Sequence, residues 1–306
     1  MPIGQLWHLR RMEDRYNMNS TISNSNSGYR LALCGLARDC EAQIAKLEGF
    51  IHSLQGEGLT VECFIGENGS KDGTRALLSE LQDKGLINLY DTSFMTEIPH
   101  RLERLARGRD YVKNELCKNG PFDFACVVDL DNVLDGGVNI PEFIVAMNRL
   151  RTDDKLFGVA AFSVPYYYDL LGLECVGVPY GAIDRGFAQI KKRSLNYYPF
   201  FRDVVYPLQK SLTTHPPEHC VSAFNGLCIY EFEQFAYSSY IPDGYPFVCD
   251  HVMLNRKINQ KYGTYVRIEP MLALAMPPEH GPQNIATFYF SRLFRFARNK
   301  LQRLFS

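Results

Sequence analysis

Apolar residues recur in two alternating rhythms over the first half of the chain. YRLALCGLA (29–37) is a short, nearly continuous apolar run suited to a strand buried on both faces. CEAQIAKLEGFIHSLQ then sets Ile44, Leu47, Phe50, Ile51 and Leu54 at helical spacing. VECFIGE repeats the strand signal, NGSKDGT breaks it, ALLSELQDKG returns to helical spacing and stops at Gly85, and INLYD predicts a third strand. Over 99–118, Leu102, Leu105, Ala106, Val112 and Leu116 mark the apolar side of a helix that Gly108 should weaken, and FDFACVVDLDNVL predicts the next strand. Strand, helix, strand, helix, strand is the grammar of a parallel sheet with right-handed crossovers, in which loop chemistry collects at the carboxyl ends of the strands.

The rhythm loosens over 136–290, where Tyr, Phe and Pro are frequent and LFGVAAFSV (156–164) and SAFNGLCIY (222–230) predict further strands; no internal repeat occurs. NMNSTISNSNSG (17–28) is polar and rich in Asn and Ser, so residues 1–28 are expected to be a flexible leading segment. In FYFSRLFRFARNKLQRLFS, Phe290, Leu293, Phe294, Ala297, Leu301, Leu304 and Phe305 share one helical face, with Arg292, Arg295, Arg298, Lys300 and Arg303 around the rest. A basic amphipathic helix over 291–306 suits an anionic membrane surface, and it equally suits packing on its own domain or on a second subunit.

Composition narrows the classes. With 306 residues and 46% hydrophobic, the chain can bury a sizeable core. A net charge of −1 provides no global field for nucleic acid, which is not expected as a partner. The nine cysteines form no C-x-x-C pair and several lie in strand-like runs, which points to reduced, structural thiols in a cytosolic compartment and to no zinc framework. No apolar stretch of about 18 residues occurs and the first 29 residues lack a secretory h-region, so a soluble or peripheral protein is expected: cytoplasmic, with possible contact to the inner face of the membrane.

CVVDLDNVLDGG (126–137) poses the main chemical question, because Asp129 and Asp131 follow a buried apolar run one residue apart. Two carboxylates brought together repel, and a divalent cation with oxygen ligands removes the conflict. An Asx-rich turn is the plainer reading of the same residues. In FIGENGSKDGT (64–74), Glu67 and Asn68 end a strand before a Gly- and Ser-rich turn, and Asp72 or Thr74 can cap the next helix. A strand-end carboxylate can accept a hydrogen bond from a base N–H or a ribose hydroxyl; a simple strand-to-helix turn needs no ligand at all.

Taken in order, RLALCGLARDCE, FIGENGSKDGT, RLERLARGRDYVKNEL and VVDLDNV resemble the nucleotide-sugar-binding half of a glycosyltransferase of the GT-A fold. Within that fold the likeness is greatest to the fungal capsule-associated α-1,3-mannosyltransferase group and related mannan-type enzymes, over about residues 29–290. The resemblance implies an α/β fold, GT-A (Rossmann-like nucleotide-diphospho-sugar transferase), with a mainly parallel central sheet flanked by helices. It divides the domain into a donor nucleotide half (29–135) and an acceptor half (136–290). It implies that Ala37, Arg38, Glu67 and Asn68 lie by the donor's nucleoside, and that Asp129 faces the ribose and metal. Asp131 would bind the Mn²⁺ or Mg²⁺ that bridges the diphosphate.

Arg104 and Arg109 match the basic positions of the family's R-I-A-x-x-R-N helix, facing the donor's phosphates or the DLD loop, although Leu105 and Asp110 stand where the family has Ile and Asn. Both arginines could instead be solvated or pair with Asp110 and Glu103. FNGLCIY resembles the loop and strand placed against the transferred sugar, which implies contacts from Asn225 and Gly226; Asn-Gly is also a common hairpin turn. PFVCDHVMLNRKI resembles the acceptor-side helix opening. Asp250 is then a general base in an inverting enzyme or a substrate-positioning group in a retaining one, and also an N-cap candidate. His280, in a Pro- and Gly-rich loop, is the candidate to complete the metal shell, with His251 as its competitor.

The activity implied is transfer of a hexose from a nucleoside diphosphate sugar to a hydroxyl of a glycan or lipid-linked glycan, in surface polysaccharide biosynthesis. A catalytically silent GT-A-like domain that binds a glycan or a protein is the rival of another class. A sugar-nucleotide pyrophosphorylase is disfavoured because LALCGLARDCEAQ lacks a Gly-rich, Arg-containing phosphate loop, and a P-loop enzyme because no G-x-x-x-x-G-K-[ST] occurs.

Overall fold

The computed structural model describes residues 28–178, 183, 197–244, 247–290 and 292–293. The leading segment up to residue 27 and the C-terminal helix beyond residue 293 lie outside the described residues. Nine strands form one sheet: β1 (Arg30–Ala37), β2 (Thr60–Glu67), β3 (Asn88–Asp91), β4 (Phe124–Val128), β5 (Leu156–Val164), β6 (Glu174–Cys175), β7 (Cys220–Ser222), β8 (Leu227–Glu231) and β9 (Tyr265–Ala275). Their order is β3-β2-β1-β4-β8-β5-β9-β7-β6. The longer helices among the described residues include α1 (Glu41–Gly56), α2 (Thr74–Asp83), α3 (Arg101–Lys118), α4 (Ile140–Thr152), α5 (Tyr206–Thr214), α6 (Phe232–Ala236) and α7 (Asp250–Tyr262), with a short helical stretch over Tyr197–Phe200 and Phe201–Val205 leading into α5.

This is the expected α/β class, a central sheet flanked by helices. Strand alternation puts core on both faces: Leu31 and Leu33 of β1 pack with Ile44, Leu47 and Phe143 from α1 and α4, whereas Ala32 and Cys34 pack with Val112, Leu116 and Leu254 from α3 and α7. β3, β2, β1 and β4 are parallel, as the strand–helix grammar predicts. The second half departs from it, because β8 runs antiparallel to both β4 and β5. The run SAFNGLCIY is two elements, with β7 ending at Ser222 and β8 starting at Leu227. Between them Asn225 (φ 58°) and Gly226 (φ 87°) are both left-handed, so extended backbone cannot continue.

Gly108 does not break α3. It is buried in the helix, and a Cβ there would come within 2.3 Å of Met95 Sδ. The missing side chain is thus the space that Met95 fills. Among the described residues no helix is long and apolar enough to cross a membrane.

Candidate active site at the carboxyl ends of the strands

Parallel pairing aligns Ala37 at the end of β1 with Glu67 at the end of β2, and β4 delivers Asp129 to the same rim. A cavity of about 340 Å³ opens there, lined by Arg38, Asn68, Arg101, Arg104, Arg109, Asp129 and Asp131 among others. A neighbouring one of about 490 Å³ shares Arg38 and Asp131. The first cavity has Arg38, Arg101 and Arg104 beside the paired Arg109 and suits an anion, whereas the second is lined by Asp39, Glu41, Asp72 and Asp131 with Arg38 alone.

Of the strand-end polar groups, Glu67 differs from its expected role. Its Oε1 accepts from Ser70 N at 2.5 Å and its Oε2 from Arg75 Nε at 2.6 Å, so both oxygens hold the 68–75 loop. Burial works against its charge, but those bonds outweigh it and keep the carboxyl below its ordinary range. The next residue has the open acceptor: Asn68 lines the cavity, and its Oδ1 is buried with no hydrogen-bond partner among the described residues. Neither Asp72 nor Thr74 is the N-cap of α2, which is Gly73 with no side-chain cap bond; Asp72 instead closes an Asx turn, its Oδ1 accepting from Thr74 N at 3.0 Å, and its Oδ2 accepts from Glu41 N at the start of α1 at 3.2 Å.

Arg109 is the centre of the site. Its side chain is 9% exposed, its Nη2 donates to Asp129 Oδ1 at 2.6 Å and its Nε to Asp250 Oδ2 at 2.6 Å. The end of β4 and the first turn of α7 are therefore joined through one guanidinium. Burial opposes its charge, yet the two carboxylates push its pKa well above the usual value. Arg109 thus meets the DLD loop rather than standing free for phosphate. Asp110, which departs from the family pattern, pairs with neither arginine: its Oδ1 accepts from Ser239 Oγ and Tyr240 N, at 2.8 and 2.9 Å. Glu103 takes Arg107, at 2.9 Å. Arg104 lines the cavity together with Arg101, which the motif comparison did not single out.

Asp250 opens α7 and is buried. Burial raises its pKa, but the charges of His251 and Arg109 bring it below the ordinary value. His251 is itself held neutral down to about pH 4 by burial and by the Arg109 charge, so at neutral pH Arg109 maintains the Asp250 carboxylate. The His251 ring stacks on Phe224 with centroids 3.4 Å apart, and neither of its nitrogens has a hydrogen-bond partner among the described residues.

Sequence reasoning missed Asp169, which stands in the aromatic run YYYDLLG with no motif around it. Its Oδ1 accepts from Gly172 N at 3.1 Å and its Oδ2 from Asn225 N at 3.3 Å. Burial pushes its carboxyl up to about 6, and the charges of Asp129 and Asp250 add to the effect. An isolated acid between three tyrosines and two leucines was the available signal, since such a group is either solvated or buried with partners.

Asn225 is fully buried, and its Oδ1 accepts from Ser163 Oγ, Tyr168 N and Asp169 N at 3.2–3.3 Å. It latches the 163–169 segment, and only its buried Nδ2 is without a partner among the described residues. At Gly226 a Cβ would lie 2.7 Å from Val133 Cγ1 and 2.9 Å from the Tyr168 hydroxyl, so the Asn-Gly turn is pressed against the DLD loop.

Asp131 is exposed, and its Oδ1 accepts from Val133 N at 3.2 Å, which is the Asx turn of the plainer reading. His280 lies in an exposed turn and stacks on Tyr168, with centroids 5.1 Å apart. Among the described residues no three His, Cys, Asp or Glu side chains are grouped as metal ligands, so His280 does not join Asp129 and Asp131 in a preformed shell. Two carboxylates beside an arginine-lined cavity still fit a hard cation of the Mg²⁺ type, which is commonly held by one or two carboxylates together with substrate phosphates.

No known family profile matches the chain, and no curated protein does. Solved structures with a similar course include mannosyltransferase PcManGT from Pyrobaculum calidifontis in complex with GDP-Man and Mn²⁺, at TM-score 0.45 and 12% identity over 86% of this chain and 60% of that one. TarS 1–349 of S. aureus aligns at TM-score 0.43 and 10% identity, over 82% of this chain and 61% of that one. Glucosyl-3-phosphoglycerate synthase from Mycobacterium tuberculosis, in complex with Mg²⁺ and UDP, aligns at TM-score 0.43 and 13% identity, over 88% and 77%. The chain thus spans under two thirds of the length of the first two.

Proposed function

We propose that the chain is a metal-dependent glycosyltransferase of GT-A type, moving a hexose from a nucleoside diphosphate sugar to a hydroxyl of a glycan or lipid-linked glycan. The observation that carries this reading is the rim itself. A small arginine-lined cavity, an unpartnered buried acceptor on Asn68 and the Asp129/Asp131 pair meet where three parallel strands end. The mannosyl class and a role in surface polysaccharide synthesis rest on the motif resemblance alone.

In this reading Asn68 Oδ1 accepts from an N–H of the base. Arg38, Arg101 and Arg104 neutralise and orient the diphosphate as charged donors. Asp129 and Asp131 would hold Mn²⁺ or Mg²⁺, which supplies Lewis-acid stabilisation of the departing diphosphate. Arg109 keeps Asp250 ionised, the state required of a group that takes the acceptor hydroxyl's proton in an inverting reaction or fixes that hydroxyl in a retaining one.

The test is thermal unfolding with UDP-, GDP- and CDP-sugars, each with Mn²⁺ and with EDTA. One nucleotide should raise Tm only with the metal. Asp131→Ala should remove that shift while lowering the unliganded stability by about 1 kcal/mol, the usual cost of losing a side-chain cap at an exposed turn. Asp129→Ala should also lower unliganded stability, because it strips one carboxylate from Arg109. A nucleotide response indifferent to metal and to both substitutions would sink the reading and favour the silent-domain alternative.

A further inference from the structure

Away from the rim, Cys175 of β6 and Cys220 of β7 are register partners, paired across a bulge at Val221. Both main-chain groups of Cys175 bond to Val178: its N–H donates to the Val178 carbonyl and its carbonyl accepts from Val178 N, each at 3.1 Å. Those groups therefore point away from β7, and Cys175 and Cys220 form a non-hydrogen-bonded cross-strand pair. In such a pair the Cα atoms stand about 4.5 Å apart and the side chains share one face. That spacing falls inside the roughly 4.4–6.8 Å a disulfide requires.

We propose that Cys175 and Cys220 are a site of intramolecular disulfide formation, by exchange with a low-molecular-weight disulfide of the glutathione class. The Cys175 thiolate attacks one sulfur of the oxidant, forming a mixed disulfide and releasing one glutathione thiolate. Cys220 loses its proton to water and attacks Cys175 Sγ, forming the protein disulfide and releasing the second glutathione. Two protein thiols are oxidised and one external disulfide is reduced to two thiols, so the exchange balances.

Position and chemistry both select this pair. β6 is the edge strand of the sheet, where Val176 is 98% exposed; Cys175 beside it is 7% exposed and Cys220 is fully buried, so the exchange proceeds through local opening of that edge. The hydrogen bond between the two thiols lowers the Cys175 pKa and, with burial, raises that of Cys220, which makes Cys175 the attacking thiol, whereas burial raises those of Cys34, Cys63, Cys126 and Cys228. The bond would also reach the rim. Ser222, two residues on from Cys220 on β7, donates its Oγ–H to the Gly172 carbonyl at 2.7 Å, and Gly172 N in turn donates to Asp169.

The whole folded chain is incubated with oxidised glutathione, acid-quenched, unfolded, alkylated, digested and weighed. A peptide joining Cys175 to Cys220, two hydrogens lighter than its parts, is expected, with the other seven cysteines alkylated and Tm raised in the oxidised form and restored by dithiothreitol. Cys220→Ser should trap glutathione on Cys175, while Cys175→Ser should leave Cys220 alkylated. Glutathione persisting on Cys175 of the unsubstituted chain, linkage through other cysteines, or full alkylation of both residues would each overturn the proposal. None of these outcomes depends on whether the chain transfers sugars.

Discussion

At the residue scale, the rim contains two buried titratable groups of opposite tendency. Asp169, facing Asp129 and Asp250, has its pKa pushed up to about 6, so the folded state holds its proton more firmly than the unfolded chain, where a carboxyl titrates near about 3.9. Its contribution to stability is full below that value and is lost as pH rises through 6, by on the order of 3 kcal/mol. His251, facing Arg109, Asp250 and Asp129, is held at about 4 against an ordinary 6.5, so its contribution is full above 6.5 and is lost as pH falls through 4, by a comparable amount. The two nearly cancel over the same window. Replacing either should therefore tilt a flat profile: Asp169→Asn should make stability fall between pH 6 and pH 4, and His251→Phe should make it rise. Urea unfolding at a series of pH values measures both slopes, and parallel slopes in the two variants would refute the assignment.

At the element scale, the Ala223–Gly226 turn separates two strands and presses on the loop that carries Asp129 and Asp131. Ala at Gly226 would need φ 87° and would put a Cβ 2.7 Å from Val133. Gly226→Ala should cost about 1–3 kcal/mol, read as a lower Tm, and should weaken metal-linked nucleotide binding. Unchanged stability and binding would mean that the turn relaxes freely. The same turn shows what was legible. In β1–β3 and α1–α3, local periodicity and pairing agree, so the apolar pattern located each element to within a few residues; FDFACVVDLDNVL instead ends as a strand at Val128, where the Asp131 turn opens a short 3-10 helix at Asn132–Leu134. SAFNGLCIY was apolar enough to suggest one strand, while its Asn-Gly pair indicated a turn, and the turn chemistry prevailed. The antiparallel direction of β8 had no local signal, because pairing with both β4 and β5 decides it. Among candidate site residues, the position of Asp129 at a strand end was legible from the apolar run before it, and that of Asp250 at a helix start from the motif resemblance. The commitment of both Glu67 oxygens to Ser70 and Arg75 was not, since it depends on how one loop closes.

At the scale of the whole molecule, the end of β4 and the first turn of α7 meet through Arg109. A guanidinium can bond Asp129 with one nitrogen and Asp250 with another because its fork is planar and fixed, whereas an ammonium is a single point. Arg109→Met should leave two carboxylates without their shared cation and destabilise the fold by about 3–5 kcal/mol. Arg109→Lys retains the charge and loses the fork, so it should stay folded at a smaller cost, with the two halves no longer tied. Hydrogen exchange along α7 distinguishes the cases. In the unsubstituted chain, adding the nucleotide and Mn²⁺ that raise Tm should slow exchange in the first turn of α7, although the cavity is lined by none of its residues. In Arg109→Lys the ligand should still protect the ends of β1 and β4 while its effect on α7 disappears. Equal protection of α7 in both proteins would show that the coupling runs through the packed core of α3 and α7 and not through the Asp–Arg–Asp bridge.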